Sequence, residues 1–242
     1  GRHLRTTSLL VDNDILIDAG TGVGDLAIAE LAQIDHVFIT HSHLDHLACL
    51  PFMIDTVGDM RNRPLIVHAT DATLEIIRSH IFNWAIWPDF SEIPTAEKPF
   101  LRFETIHVGQ SVILDGRKII PLPANHTVPA VGYQLDSGDA SLVFTGDTGP
   151  CPGLWTHVNG ILNLRYLIIE CAFSDREKAL AVASLHLCPS MLLEELASLQ
   201  RDAEVFITHL KPGQVELTMQ EIEDRIGEFC PRMLQNNQLF EI

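Results

Sequence analysis

The chain has 242 residues, 46% of them apolar, enough for a substantial core, and no apolar run approaches the roughly 20 residues that a membrane helix needs. Its 16 Lys and Arg against 32 Asp and Glu give a formal charge of −16, which opposes a long polyanion but not a small anion at a site holding divalent ions. Five scattered cysteines, Cys49, Cys151, Cys171, Cys188 and Cys230, never form a CxxC pair, which argues against a disulfide framework or a cysteine zinc site and for a reducing, cytoplasmic setting.

The predicted elements are short and well punctuated. Strands are expected at residues 7–11, 15–18 and 36–40, the first two separated by the turn Asp12-Asn13-Asp14. A helical period covers 24–31, a strand 65–68 and a second helix 72–81. Residues 83–99 carry three prolines around Trp84-Ala85-Ile86-Trp87 and read as an insertion over the surface. Strands follow at 112–114, 118–122, 131–135, 141–145, 167–170 and 205–208, with helices at 178–185, 190–200 and 218–229. Ser190 and Thr218 are the expected N-caps, with Glu194 and Glu221 near the following turn. Runs such as Val37-Phe38-Ile39 and Leu167-Ile168-Ile169 are apolar on both faces, so the strands belong between covering layers of an α/β fold. One domain over residues 1–242 is expected. No signal-peptide pattern opens the chain, which begins at Gly1.

The densest chemistry is Thr40-His41-Ser42-His43-Leu44-Asp45-His46. Imidazole and carboxylate are the ligand types that suit zinc and related divalent ions. On an extended segment His41 and His43 point the same way, because side chains repeat every two residues. Asp45 and His46 point apart unless the backbone has begun to turn, and residues 44–53 are apolar enough to start a helix. A strand end delivering two ligands and a helix start delivering two more suggest two adjacent metals.

Further ligands are expected where later strands end. These are His126 in Pro123-Ala124-Asn125-His126-Thr127, Asp147 in the turn Gly146-Asp147-Thr148-Gly149, and His209, whose Thr208-His209 repeats Thr40-His41. His3, His36, His68, His80, His107 and His157 have no comparable setting, and His107 is the best substitute for His126.

Taken in this order, these residues resemble the metallo-β-lactamase superfamily over most of the chain. The resemblance implies an αββα four-layer sandwich whose opening strand and Gly-rich turn are missing before Thr6-Thr7-Ser8. It implies that His41, His43 and His126 hold one metal, that Asp45, His46 and His209 hold the other, and that Asp147 bridges them. Two divalent ions are expected, Zn2+ first, with Mn2+ or Fe suited to the same ligands.

Two further segments narrow the resemblance. One is Glu170-Cys171-Ala172-Phe173 with the later Ser184-Leu185-His186-Leu187-Cys188-Pro189; the other runs from His80 through Trp84 and Trp87 to Phe90. Both are similar to the class II 3′,5′-cyclic-nucleotide phosphodiesterases, although Ala48-Cys49-Leu50-Pro51 stands where those more often carry a small residue or glycine. The Z-type tRNA 3′ endonucleases are similar around Glu170 and His186. Both families cleave phosphodiesters, and the −16 charge favours the cyclic nucleotide.

The implied reaction gives a 5′-monophosphate by attack of a hydroxide shared between the metals. Asp45 would orient the nucleophile or take its proton, and His186, oriented by Glu170, would protonate the departing 3′-oxygen. Capping of the following helix is the other role open to His186. Trp84, Trp87 and Phe90 suit a stacked base, and equally suit a dimer contact or a local core. The expected partner is a small cyclic nucleotide, with no long nucleic acid, no membrane and a homodimer in view. An RNA 3′-end nuclease and a non-catalytic metal-stabilised binding module are the alternatives.

Overall fold

The computed structural model describes residues 4–226 and 229–242, so His3 lies outside the described residues. The chain divides into two compact units, Gly1–Ile106 and His107–Ile242.

Unit 1 is a five-stranded sheet in the order β1-β2-β3-β4-β7. Its strands are β1 (Leu9–Val11), β2 (Ile15–Ile17), β3 (His36–Phe38), β4 (Leu65–Ala69) and β7 (Leu101–Thr105). The pair β1–β2 is an antiparallel hairpin, and every later pairing is parallel. Parallel neighbours need a crossover, and short helices supply it. These are α1 (Ile28–Leu31) before β3, α2 (Leu44–Leu47) and α3 (Leu50–Val57) before β4, and α4 (Asp71–His80) after it. Alternation then sorts the side chains. Val37, Ile39, Leu65 and Val67 join Leu50, Ile54, Leu74 and Ile77 in one core, while Ile15, Ile17, Phe38 and His68 are buried on the opposite strand face.

Unit 2 is a seven-stranded sheet in the order β14-β13-β12-β11-β10-β9-β8. An antiparallel meander of β8 (Val112–Leu114), β9 (Arg117–Pro123), β10 (Val131–Asp136) and β11 (Ser141–Phe144) leads into parallel β12 (Leu164–Glu170), β13 (Glu204–Thr208) and β14 (Arg232–Met233). Its helices are α5 (Pro152–Val158), α6 (Lys178–Ser184), α7 (Pro189–Leu196) and α8 (Val215–Ile226). The core draws Val143, Leu167, Ile169, Val205 and Ile207 from the strands and Leu154, Trp155, Leu192 and Ile222 from the helices. The Trp155 indole N–H donates to Glu195 at 2.8 Å, so a polar edge in this core is satisfied across α5 and α7.

Several local expectations change. The helix expected over 24–31 is a 3-10 turn at Thr21–Asp25 followed by the short α1, because Gly22 and Gly24 are poor helix formers. Ser190 is not an N-cap: Pro189 starts α7 one residue earlier, and the Ser190 amide donates to Asp175 Oδ1 at 2.9 Å. Thr218 lies inside α8, which begins at Val215, and its amide bonds to the Gln214 carbonyl. The segment 83–99 is only partly a surface insertion. Phe90 packs on Phe82 and Phe100 inside the unit 1 core, while a small hairpin of β5 (Pro94–Thr95) and β6 (Lys98–Pro99) lies beside it in sequence. Strand β7 is not among the expected elements, although Leu101-Arg102-Phe103-Glu104-Thr105 alternates apolar and polar residues. Leu101 is fully buried in parallel register with Leu65.

Unit 1 carries an imidazole pair, His68 buried and His36 half-buried. His36 Nδ1 lies 2.9 Å from His68 Nε2, and the His68 ring stacks on Phe38 at a centroid distance of 4.2 Å. Burial, with the charge of His36 adding to it, lowers His68 from its ordinary 6.5 to about 3. A neutral imidazole in the folded chain that charges in the unfolded one makes stability fall as pH drops below 6.5 and on toward 3. Between pH 7 and pH 5 this group alone costs about 2 kcal/mol. Denaturant titrations at the two pH values should show that loss, and His68→Gln should remove most of the difference; an unchanged difference would assign it to other groups.

Gly20, which follows β2, makes a close backbone approach. A Cβ built there would overlap the Asp45 carbonyl, the Thr6 hydroxyl and the Thr7 carbonyl. Backbone atoms cannot step aside as a flexible side chain does, so Gly20→Ala should destabilise the chain by about 2 kcal/mol or more, measured as a shift in thermal midpoint.

Candidate metal centre

In unit 1 the heptapeptide begins where β3 stops. The backbone bends at Thr40 and Ser42, is extended at His43 (φ −69°, ψ 146°), and then turns into α2 at Leu44. His41 and His43 rings meet edge to face at 4.8 Å, and His41 and His46 rings lie 4.3 Å apart. His41 and His43 each offer a donor atom within 4.8 Å of the other's, and so do Asp45 and His46.

Asp18 organises this group from beneath. It sits at the end of β2 with a left-handed backbone (φ 59°) and no solvent exposure. Its carboxylate accepts the Thr40 amide at 2.7 Å, the Thr40 hydroxyl at 2.8 Å, and His46 Nδ1 at 2.7 Å. The Thr40 oxygen in turn lies 3.0 Å from His41 Nδ1. With its hydroxyl proton directed at Asp18, that oxygen accepts from His41. Both imidazoles therefore carry their proton on Nδ1 and keep the Nε2 lone pair for a ligand role. Burial pushes the Asp18 carboxyl above the usual carboxylate range, and His46 and the Thr40 donors pull the other way.

In unit 2 the strand ends gather a second group. His126 follows β9, Asp147 occupies the Gly146 turn after β11, Glu170 ends β12, and His209 follows β13 with a left-handed backbone (φ 62°). Asp147 Oδ2 lies 3.0 Å from His209 Nε2. His126, Asp147 and His186 each place one donor atom within 4.8 Å of the others'. The His186 ring is 4.9 Å from both the His126 and His209 rings. His126 Nδ1 donates to the Leu185 carbonyl at 3.1 Å, so its lone pair also rests on Nε2.

Glu170 is the counterpart of Asp18. Fully buried, it accepts His186 Nδ1 at 2.6 Å and the Thr148 amide at 3.0 Å on one oxygen. The Ala172 and Leu187 amides donate to the other at 3.1 and 3.2 Å. Four donors saturate this carboxylate, which makes it an orienting group rather than a proton acceptor. The nearby thiols of Cys171 and Cys188 are buried, and burial raises both, which leaves neither a ready nucleophile.

The other candidates have separate local settings. His107, the substitute for His126, is exposed in a turn. Phe90 offers no face to a base, because packing in the core consumes it. Trp87 is half-buried against Phe52, with ring centroids 5.3 Å apart. Trp84 is 61% exposed and is held with φ 64° in a turn where the Ala85 and Ile86 amides donate to Asn83 Oδ1. Sequence reasoning missed Asp18 and the role of Thr40. The signal was present: Ile15-Leu16-Ile17-Asp18 is an apolar strand ending in a ligand-type residue, the same pattern that marked Thr208-His209.

As a donor set, the imidazoles and carboxylates fit divalent metals. The protonated Nδ1 of His41, His46 and His126 is the arrangement that metal-binding histidines adopt.

Comparison with known proteins agrees with this chemistry. The family description "Beta-lactamase superfamily domain" matches residues 13–210. The chain is 25% identical to a probable 3′,5′-cyclic-nucleotide phosphodiesterase of Yersinia pestis, over 75% of this chain and 58% of that protein. It is 26% identical to the endoribonuclease ysh1 of Schizosaccharomyces pombe, over 55% of this chain and 19% of that one. It thus spans little more than half of the first relative and about a fifth of the second. The crystal structure of unliganded yeast PDE1 superposes with a TM-score of 0.74 at 20% identity, covering 86% of this chain and 69% of that one. The family match and the structural likeness together show that the chain has the metallo-β-lactamase fold and belongs to the β-lactamase superfamily.

Proposed function

We propose that the protein is a metal-dependent phosphodiesterase that hydrolyses 3′,5′-cyclic nucleotides such as cAMP or cGMP to 5′-monophosphates. The observation that carries the reading is the buried Glu170–His186 pair at 2.6 Å, beside the donor atoms of His126 and Asp147. The name of the Yersinia pestis relative supports the substrate class.

Two divalent ions, Zn2+ first, held by His41, His43 and His126 and by Asp45, His46 and His209 with Asp147 shared, would supply Lewis acidity and a more acidic attacking water. The chain's own residues do the rest. Asp45, only partly buried, accepts or steers the proton of that water. His186, its Nδ1–H fixed on Glu170, acts as the doubly protonated imidazolium: it gives its Nε2 proton to the departing ribose 3′-oxygen and is left as the neutral Nδ1–H ring. Glu170 holds the ring through a carboxylate already occupied by three backbone amides, so the ring keeps its orientation as it gives up its proton. Trp84 is an exposed aromatic face in unit 1, and we assign it to stacking on the base.

The endoribonuclease likeness supports a second reading, cleavage of RNA. A chain with 32 acidic and 16 basic residues lacks the surface for a long polyanion, and this favours the small substrate. Cleavage of pre-tRNA with an affinity that falls steeply with salt would reverse that preference. A metal-stabilised binding module would be the reading left if metal-loaded protein cleaved neither substrate nor a model diester.

With cAMP as substrate, His186→Ala should lower kcat by about 10²-fold or more with little change in KM, and Glu170→Gln should follow it by a smaller factor. Chelation should abolish turnover and readdition of Zn2+ restore it; full activity in the His186 variant would end its role as the acid. Trp84→Ala should instead raise KM about tenfold at nearly constant kcat, and a KM equal to that of the parent would remove Trp84 from the binding site.

A further inference from the structure

Leu185 is a hydrophobic residue in a glycine conformation. Its backbone is left-handed (φ 52°, ψ 52°) at the C-terminal cap of α6, where glycine is the usual occupant because any Cβ crowds the chain there. Such strain persists only where the surroundings demand it. Three separate contacts of unit 2 meet at this one peptide.

The Leu185 carbonyl accepts His126 Nδ1 at 3.1 Å. The next residue is His186, whose amide bonds back to Ala181 and whose ring is fixed by Glu170. On the other side the Leu185 backbone lies against Gly149, close enough that a Cβ there would stand 3.3 Å from Leu185 Cα and C. Gly149 belongs to the turn that carries Asp147, and its amide bonds to the Asn125 carbonyl at 2.8 Å. The Asn125 amide bonds in return to Thr148 Oγ1 at 2.9 Å. The segments carrying His126, Asp147 and His186 are therefore tied together around Leu185.

We infer that Leu185 is a positioning residue, whose left-handed backbone turns its carbonyl onto His126 Nδ1 and so fixes the tautomer and orientation of that ligand while setting His186 beside it. The role belongs to the backbone conformation, not to the isobutyl group. A right-handed or extended residue would swing the carbonyl away from His126 and displace the following His186 together. This rests on the reading of His126 and Asp147 as metal ligands.

Two substitutions separate a backbone role from a packing role. Leu185→Gly keeps access to φ 52° and deletes the side chain; Leu185→Val keeps an apolar side chain but resists that conformation. The measurements are Zn2+ affinity by competition with a chromophoric chelator, and the His126 tautomer by ¹⁵N NMR of the metal-free chain, with far-UV circular dichroism as the fold control. The glycine variant should bind Zn2+ within about threefold of the parent and retain the Nδ1–H tautomer. The valine variant should bind about 10- to 100-fold more weakly, the range expected when a partner of a ligand histidine is lost, and its His126 should populate the other tautomer. The reverse order, glycine impaired and valine intact, would overturn the inference, as would two variants indistinguishable from the parent. If the valine variant does not fold, an Nε2–H tautomer of His126 in the parent chain would overturn the inference just as firmly, and an Nδ1–H tautomer there, lost in a folded Leu185→Ala chain, would support it. A parent chain that binds no Zn2+ would overturn the ligand reading instead, with the tautomer still judging Leu185.

Discussion

Two carboxylates without solvent exposure, Asp18 in one unit and Glu170 in the other, are the constraint on which the candidate site depends. A buried carboxylate is tolerable only when its lone pairs are filled, so each must recruit donors from whatever surrounds it. Asp18 takes His46 and both donors of Thr40; Glu170 takes His186 and three backbone amides. The cost of leaving either unsatisfied is what holds the imidazoles in single orientations. In both units the candidate side chains are thus ordered by carboxylates that are themselves closed off from solvent.

That arrangement explains what was legible in the sequence. Residues that announce chemistry by type and spacing, His41, His43, Asp45 and His46, were read directly, and His126, Asp147 and His209 were read from their places at strand ends. The parallel strands were visible as apolar runs because both faces of β3 and β12 are buried. Asp18 was not assigned, since one aspartate after a short strand looks like a turn former until its partners are seen 22 and 28 residues away. Leu185 could not have been found at all: nothing in the letter Leu signals a left-handed backbone, and the position is set by tertiary ties to His126 and Gly149.

The aromatic segment shows the opposite failure. Trp84, Trp87 and Phe90 look alike as a string, yet the fold gives them three environments: an exposed turn, a half-buried contact with Phe52, and the closed core. Proximity in sequence misled because the chain reverses twice within a few residues, first at the left-handed Trp84 and then after Asp89, whose carboxylate accepts the Ser91 amide at 2.9 Å. Periodicity cannot report on a segment that has no repeating backbone.

The saturation of Glu170 has a consequence for how this sequence can drift. Three of its four donors are main-chain amides, of Thr148, Ala172 and Leu187, and an amide is supplied by any residue except proline. Side chains at those positions are free to change without touching the clamp, whereas glutamine in place of Glu170 would set an amide group against an N–H and break part of it. The local identity of the site is thus concentrated in Glu170 and His186, while much of what keeps them in place is written in backbone geometry and leaves little trace in the letters.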